Sequence, residues 1–265
     1  MRWEEWEPIY LEIVKEMGYS IEKDLTAAYT LSHLITDRAL TTEELREELD
    51  ERKTAVVFGA GPSLKVDIEE FVKSGIIDDV VVFVADGASR AFLERGLKID
   101  IIVTDLDGGD ETLIESSRVC LATVVHAHGD NIEKIRELVP RLYGKILGTT
   151  QCKPCDLLYN FGGFTDGDRA VFLSDALGFE NIVLAGMDFG EEIGEYSKSI
   201  NKHDFERLKV KRKKLRIGKK LLEIYASKST RKLFNATSRG EEIKGFIQTS
   251  FEEIEDVLRQ HVLES

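Results

Sequence analysis

Apolar positions change their spacing at about Thr54. Before it they recur at intervals of three and four. Trp6, Ile9, Tyr10 and Ile13 share one helical face, and Tyr29, Leu31, Leu34 and Ile35 form another. Thr41 with Glu44 three residues on is a capping-box pair, and Leu45 and Leu49 follow at helical spacing. From Thr54 short apolar runs take over. Those at 55–58, 80–84, 101–103, 121–125, 145–147 and 182–185 read as buried strands, and 66–74, 88–94, 111–117, 132–139 and 167–177 as helices between them. Strands alternating with helices predict βαβ units and an α/β, Rossmann-like fold: a mainly parallel sheet covered by helices. A long helical stretch at 204–226 and another at 250–262 close the chain. The second has Phe251, Ile254, Val257 and Leu258 at helical spacing, with Ser250 as N-cap and Glu253 at the third position. The division expected is a helical N-terminal segment at 1–52, an α/β domain carrying the chemistry at 53–200, and a helical extension at 201–265 packed on it.

Ligands of such sheets bind beyond the carboxyl ends of the strands, and here those ends are where small and ionisable residues collect. The first strand leads into Gly59-Ala60-Gly61-Pro62-Ser63, the second into Asp86-Gly87, and the third into Asp105-Leu106-Asp107-Gly108. The fourth leads into His126, His128 and Asp130, the fifth into Thr149, Thr150 and Gln151, and the sixth into Gly186-Met187-Asp188. Asp105 and Asp107 stand two apart on a strand exit, so both carboxylates can face one side and hold a hard cation such as Mg2+. Asp86 either caps a turn or completes that carboxylate cluster. The 59–63 loop lacks the third glycine of a dinucleotide fingerprint, where Leu64 stands, and is not a Walker loop. It brings backbone N–H groups to a phosphate or serves packing alone. The two histidines are either buried and capping or face a ligand. Phe161-Gly162-Gly163-Phe164-Thr165-Asp166-Gly167-Asp168-Arg169 opens a helix. It either caps that helix through an aspartate or closes over a planar ring whose N–H groups a carboxylate would accept.

Composition narrows the class. A chain of 265 residues buries a core in one or two domains. No apolar run spans a bilayer, and the acidic start Met1-Arg2-Trp3-Glu4-Glu5 carries no signal-peptide core, so a soluble cytoplasmic protein is expected. A net charge of −13 argues against nucleic acid as a partner. The basic run between Lys209 and Lys220 is either a solvated helix face or a set of cations reaching an anion site. Three cysteines make no disulfide framework, and the lone Cys152-Lys153-Pro154-Cys155 lacks a second ligand pair for zinc. A charged fraction of 32% with few amides suits a thermophile.

The strand-exit motifs, with Phe164-Thr165-Asp166-Gly167-Asp168-Arg169-Ala170 and Ala185-Gly186-Met187-Asp188-Phe189, resemble in order and spacing the archaeal 6-hydroxymethyl-7,8-dihydropterin pyrophosphokinase family over about Thr54 to Tyr225. The aspartate pairs are also similar to the metal-binding end of thiamine pyrophosphokinases, and more loosely to a domain of flagellin-modification proteins. The resemblance implies transfer of diphosphate from ATP to the hydroxymethyl group of a reduced pterin, giving AMP, in folate or methanopterin biosynthesis. It implies Mg2+ on Asp105 and Asp107, with Asp86 as a third carboxylate. Gly59, Gly61, Pro62, Ser63, Lys213 and Lys220 would steady ATP. His126, His128, Asp130, Thr149, Thr150, Asp166, Asp168, Arg169 and Asp188 would face substrate. The alternatives are a thiamine diphosphokinase or nucleotide-sugar-dependent transferase on the same fold, and a non-catalytic nucleotide-binding module. Small molecules are the expected partners, and self-association is left open.

Overall fold

The computed structural model describes residues 1–197 and 205–263, with side chains described to residue 259. Three helices lead: α1 (Trp3–Met17), α2 (Ile21–Leu34) and α3 (Thr42–Glu48). Then come β1 (Thr54–Phe58), α4 (Leu64–Ser74), β2 (Val81–Ala85), α5 (Asp86–Leu93), β3 (Ile101–Thr104), α6 (Asp110–Val119), β4 (Ala122–Ala127) and α7 (Ile132–Leu138). The chain continues through β5 (Lys145–Thr150), β6 (Leu158–Tyr159), α8 (Asp166–Ala176), β7 (Asn181–Ala185), α9 (Phe205–Ala226), β8 (Lys232–Asn235), β9 (Ile247–Gln248) and α10 (Phe251–Leu263). The strands form one nine-stranded sheet in the order β6-β5-β4-β3-β2-β1-β7-β8-β9, every pairing parallel. Successive strands step outward from β1 in one direction as far as β6, and from β7 in the other. Connections therefore diverge at the β1/β7 boundary, where an open α/β sheet leaves a crevice for ligand.

The central strands are apolar and wholly buried because helices cover both faces. Phe58 points to one face and meets Phe71 of α4 at 5.1 Å, Phe92 of α5 at 4.8 Å and Phe251 of α10 at 6.2 Å between ring centroids. Val57 pairs with Phe83, which puts Phe83 on the opposite face, edge-on to Phe179 at 5.7 Å. Each such aromatic contributes about 1.5–3 kcal/mol on burial. The expected caps are present: Thr41 Oγ1 accepts from the Glu44 N–H, and Ser250 Oγ accepts from the Glu253 N–H.

The structure extends the expectation at the sheet edges. β6, β8 and β9 add three short strands, and Asp86 opens a helix directly instead of a turn. Tyr29 is 56% exposed, so it lies off the buried face that Leu31 of α2 shares with Ile35 just beyond its end. The N-terminal helices belong to the same core as the sheet, through Trp6, Tyr10, Ile13, Leu31 and Ile35. Their connection to β1 touches the sheet as well: Leu40 N–H donates to the Ile146 carbonyl at 2.8 Å. The expected boundary between residues 200 and 201 lies outside the described residues. Among the described residues no helix is long and apolar enough to cross a membrane.

Candidate active site

At the end of β3 the chain reverses through Leu106, a buried leucine held at φ 70°. A branched side chain is strained there. Its N–H is fixed by Thr104 Oγ1 at 2.7 Å, and the reversal leaves Asp105 and Asp107 on one side of the turn. Asp86, first residue of α5, completes the group. The three aspartates each offer one oxygen, all within 4.8 Å of one another. Asp86 Oδ2 accepts from Thr104 Oγ1 at 2.6 Å, from Asp107 N–H at 3.1 Å and from Gly108 N–H at 2.9 Å. Its Oδ1 is buried without a partner, as is Asp105 Oδ1. A Cβ on Gly108 would overlap Asp86 Oδ1, so glycine is required for this approach.

The electrostatics follow from this crowding. Burial, opposed by the Thr104 hydrogen bond and reinforced by the charges of Asp105 and Asp107, pushes the Asp86 carboxyl up to about 7. Burial would raise Asp105 too. The contact and charge of His128, with Lys214 and Arg169 behind, hold it well below the usual carboxylate range instead. His128 Nε2 lies 3.6 Å from Asp105 Oδ2. Asn131, whose signal was only its place in the histidine motif, clamps two strand exits: its Nδ2 donates to the Asp105 and His126 carbonyls, each at 2.8 Å.

His126 lies deeper. Its Nδ1 is 3.1 Å from Thr149 Oγ1, which in turn lies 3.2 Å from the Val125 carbonyl. Nε2 is buried without a hydrogen-bond partner. Burial, with the neighbouring Arg169 and His128 charges, drives this imidazole far below its usual range and keeps it neutral. His126, Thr149, Thr150 and Arg169 line a separate small void and are not among the residues that line the main cavity.

The glycine loop differs from expectation in its use. Gly59, Gly61 and Pro62 border the cavity, but Ser63 is fully buried. Its N–H donates to Asp188 Oδ1 and Oδ2 at 3.2 and 3.3 Å, and its hydroxyl lies 2.9 Å from Asp188 and 2.6 Å from Asp67. The Asp188 carboxylate thus occupies the N-terminus of α4, where a phosphate was expected. Asp188 borders the cavity while bracing this loop. Burial, outweighing the Ser63 hydrogen bonds and joined by the Asp67 charge, raises its carboxyl above the usual range.

At the start of α8 two aspartates part ways. Asp168 is wholly buried and closes a capping box, accepting from the Phe164 N–H at 2.6 Å, the Thr165 N–H at 2.8 Å and the Thr165 hydroxyl. It does not face substrate, which corrects that expectation. Asp166 does border the cavity, with its Oδ1 buried and unpartnered. Burial and the charges of Asp105 and Asp86 raise it well above the usual carboxylate range, against the pull of Arg169.

The cavity measures about 820 Å³ and opens over β1, β2, β3 and β7, with Asp105, Asp107, Asp130 and Asp166 along one side. Arg207, Val210, Lys211, Lys214 and Leu215 of α9 face it from the other. Those positions recur at three and four, one stripe of a helix. Lys213 and Lys220 lie off the stripe. Lys213 donates to the Glu16 carbonyl at 2.6 Å and Lys220 is exposed, so neither lines the cavity. Lys214, within the expected basic run but not one of the two lysines singled out from it, is half-buried and does line the cavity. Burial would lower its ammonium, but Tyr19, Asp105 and Asp107 hold it above the usual range.

Cys152 is buried and Cys155 half-buried, both free, and the only three-ligand cluster among the described residues is the aspartate group.

Residues 31–194 match the model of a family described as 6-hydroxymethylpterin diphosphokinase MptE-like. The chain belongs to this family. A 6-hydroxymethyl-7,8-dihydropterin pyrophosphokinase of Pyrococcus furiosus is 46% identical over 84% of this chain and 94% of its own. Proteins of the same name from Methanothermobacter thermautotrophicus and Methanocaldococcus jannaschii are 43% and 39% identical, over 74% and 86% of this chain and 81% and 97% of their own. The fold is similar to that of the MAf glycosyltransferase from Magnetospirillum magneticum. The TM-score is 0.57 at 16% identity, over 96% of this chain and 43% of that one. At that identity the likeness carries the fold alone.

Proposed function

We propose that this family member transfers a diphosphate group from ATP to the hydroxymethyl oxygen of 6-hydroxymethyl-7,8-dihydropterin, releasing AMP, in folate or methanopterin biosynthesis. The observation that carries the reading is a three-aspartate cluster, two of whose members, Asp105 and Asp107, line one cavity together with Lys211 and Lys214, in a chain of the pterin diphosphokinase family. The donors are all hard oxygens, and two of them, Asp86 Oδ1 and Asp105 Oδ1, are buried without partners. That set fits Mg2+, held by Asp105 and Asp107 with Asp86. Bound there, Mg2+ would draw charge from the phosphate oxygens and make the β-phosphorus a better electrophile.

The protein's own part is positioning and charge. Lys211 and Lys214 line the same cavity as Asp105 and Asp107, where a polyphosphate would meet cations. His128 holds Asp105 in its ionised form. Phe164, Met187, Phe189 and Val210 give the cavity apolar walls against which a heterocycle can lie. Asp130 and Asp166 also line the cavity as polar groups for its contents. The acceptor hydroxyl attacks the β-phosphorus and gives up its proton to solvent, the new O–P bond forms as the α–β bridging bond breaks, and AMP leaves.

The test is incubation with ATP, Mg2+ and 6-hydroxymethyl-7,8-dihydropterin, with nucleotides separated by chromatography. Stoichiometric AMP, dependent on the pterin and reduced at least about a hundredfold in Asp105→Asn and Asp107→Asn, supports the reading. Formation of ADP, or turnover with thiamine but not the pterin, rejects it.

A further inference from the structure

Asp24 lies in α2, outside the stretch that matches the family model, and is 1% exposed. A buried carboxylate needs partners, and this one, in the first turn of its helix, draws them from three separate parts of the chain. Tyr10 Oη of α1 donates to Oδ2 at 2.7 Å, and Gln151 Nε2, beyond β5, donates to the same oxygen at 2.9 Å. Gly129 N–H, beyond β4, donates to Oδ1 at 2.7 Å. A Cβ on Gly129 would come within 2.6 Å of Lys23 Cβ, so the loop is seated directly against α2.

What that loop carries gives the contact its meaning. Gly129 follows His128, whose ring contacts Asp105, and precedes Asn131, whose amide holds the Asp105 carbonyl. Asp105 is therefore held by side chain and main chain through one short loop, and that loop is tied down by Asp24.

We propose that Asp24 is a positioning residue for the metal site. It anchors the 128–131 loop and so holds Asp105 in its ligating orientation, which makes the N-terminal helical segment a working part of the active site. The inference rests on Asp105 as a metal ligand, as read above. It requires only that Oδ1 accept the Gly129 hydrogen bond. An asparagine at 24 can still present a carbonyl oxygen to Gly129, while an alanine cannot.

The test is Mn2+ binding to the full chain, followed by electron paramagnetic resonance, which needs no turnover. Asp24→Ala is expected to raise the dissociation constant about tenfold, as outer-sphere changes do. Asp24→Asn should keep it within about twofold by retaining the oxygen, and Tyr10→Phe should do the same because it leaves the Gly129 bond in place. If Asp24→Ala fails to fold, the Tyr10→Phe/Asp24→Ala double variant replaces it, because it leaves one fewer buried polar group unpartnered. Wild-type affinity in the folded alanine variant overturns the proposal. So does an equal loss in all three single variants, which marks general loosening of the segment. Failure of the wild type to bind Mn2+ overturns the metal reading and this inference together. Mn2+ binding with the expected pattern but no AMP formation upholds the positioning role and rejects the pterin reaction.

Discussion

Asp86 accepts three hydrogen bonds through one oxygen and none through the other, and that asymmetry decides its chemistry. Oδ2 organises the 104–108 turn, and Oδ1 is left without a partner, as the atom that the proposed metal site would use. An asparagine can keep the first role by turning its carbonyl oxygen to the three donors, and must lose the second. Asp86→Asn is therefore expected to melt no lower than the wild type, and to bind Mn2+ at least about tenfold more weakly. A large loss of thermal stability instead would show that the turn needs the charge. Cys152 makes a second case at this scale. Burial, beyond what the Thr150 hydrogen bond offsets and with Asp24 nearby, pushes its thiol up to about 11. A raised pKa lowers the thiolate fraction at every pH below it, to about one in a thousand at pH 8. Iodoacetamide at pH 8, read by peptide mass spectrometry, should modify the less buried Cys155 well before Cys152. Equal rates would contradict the packing around Cys152.

Among the elements, α9 shows how helical phase selects function from a run of like residues. Lys211 and Lys214 border the cavity, while Lys213 lies a third of a turn away and reaches α1 instead. Lys214→Ala should raise the KM for ATP about tenfold to a hundredfold, the range for loss of one charged hydrogen bond. Lys220→Ala should leave it within about twofold, since an exposed cation off the stripe is screened. Steady-state kinetics on the two variants decides, and equal effects would place the phosphates elsewhere. The phase was present in the sequence, since Val210, Lys214 and Leu215 share a stripe, but only the structure shows which stripe is turned inward. The same limit applies to strands. β1 to β5 and β7 were legible because buried central strands are continuous apolar runs. β6 and β9 are two residues long and β8 begins with an exposed lysine, so the edges left no such run. The polar strand exits did mark the rim of the cavity, which residues after β1, β2, β3 and β7 line. The internal bracing left no such mark: Asp24 meets Gly129 across 105 residues and Gln151 across 127. A hydrogen bond between such distant positions leaves no period for a sequence to show.

Across the whole molecule the question is whether the N-terminal helices fold with the sheet or on it. Trp6 is buried, and its Nε1 donates to the Gln151 carbonyl at 2.8 Å, beyond the end of β5. Tyr10 reaches Asp24, and through it the loops that follow β4 and β5. On the other side Lys213 ties α9 to the end of α1. The segment is thus joined to the sheet by apolar burial and by buried hydrogen bonds that would be left unpaired on undocking, at about 1–3 kcal/mol each. Undocking would release the loop that holds Asp105, so the fold and the site share the same attachment. The chain offers a direct probe, because its two tryptophans, Trp3 and Trp6, both lie in α1. Tryptophan fluorescence reports the docking of this segment, and far-ultraviolet circular dichroism reports the helices and sheet together. The two signals should lose amplitude at one urea midpoint, the signature of a single cooperative unit. A fluorescence transition at clearly lower urea, with the dichroism largely retained, would make residues 1–52 an independently released element. Mn2+ affinity measured between the two midpoints would then show whether the aspartate cluster survives without it.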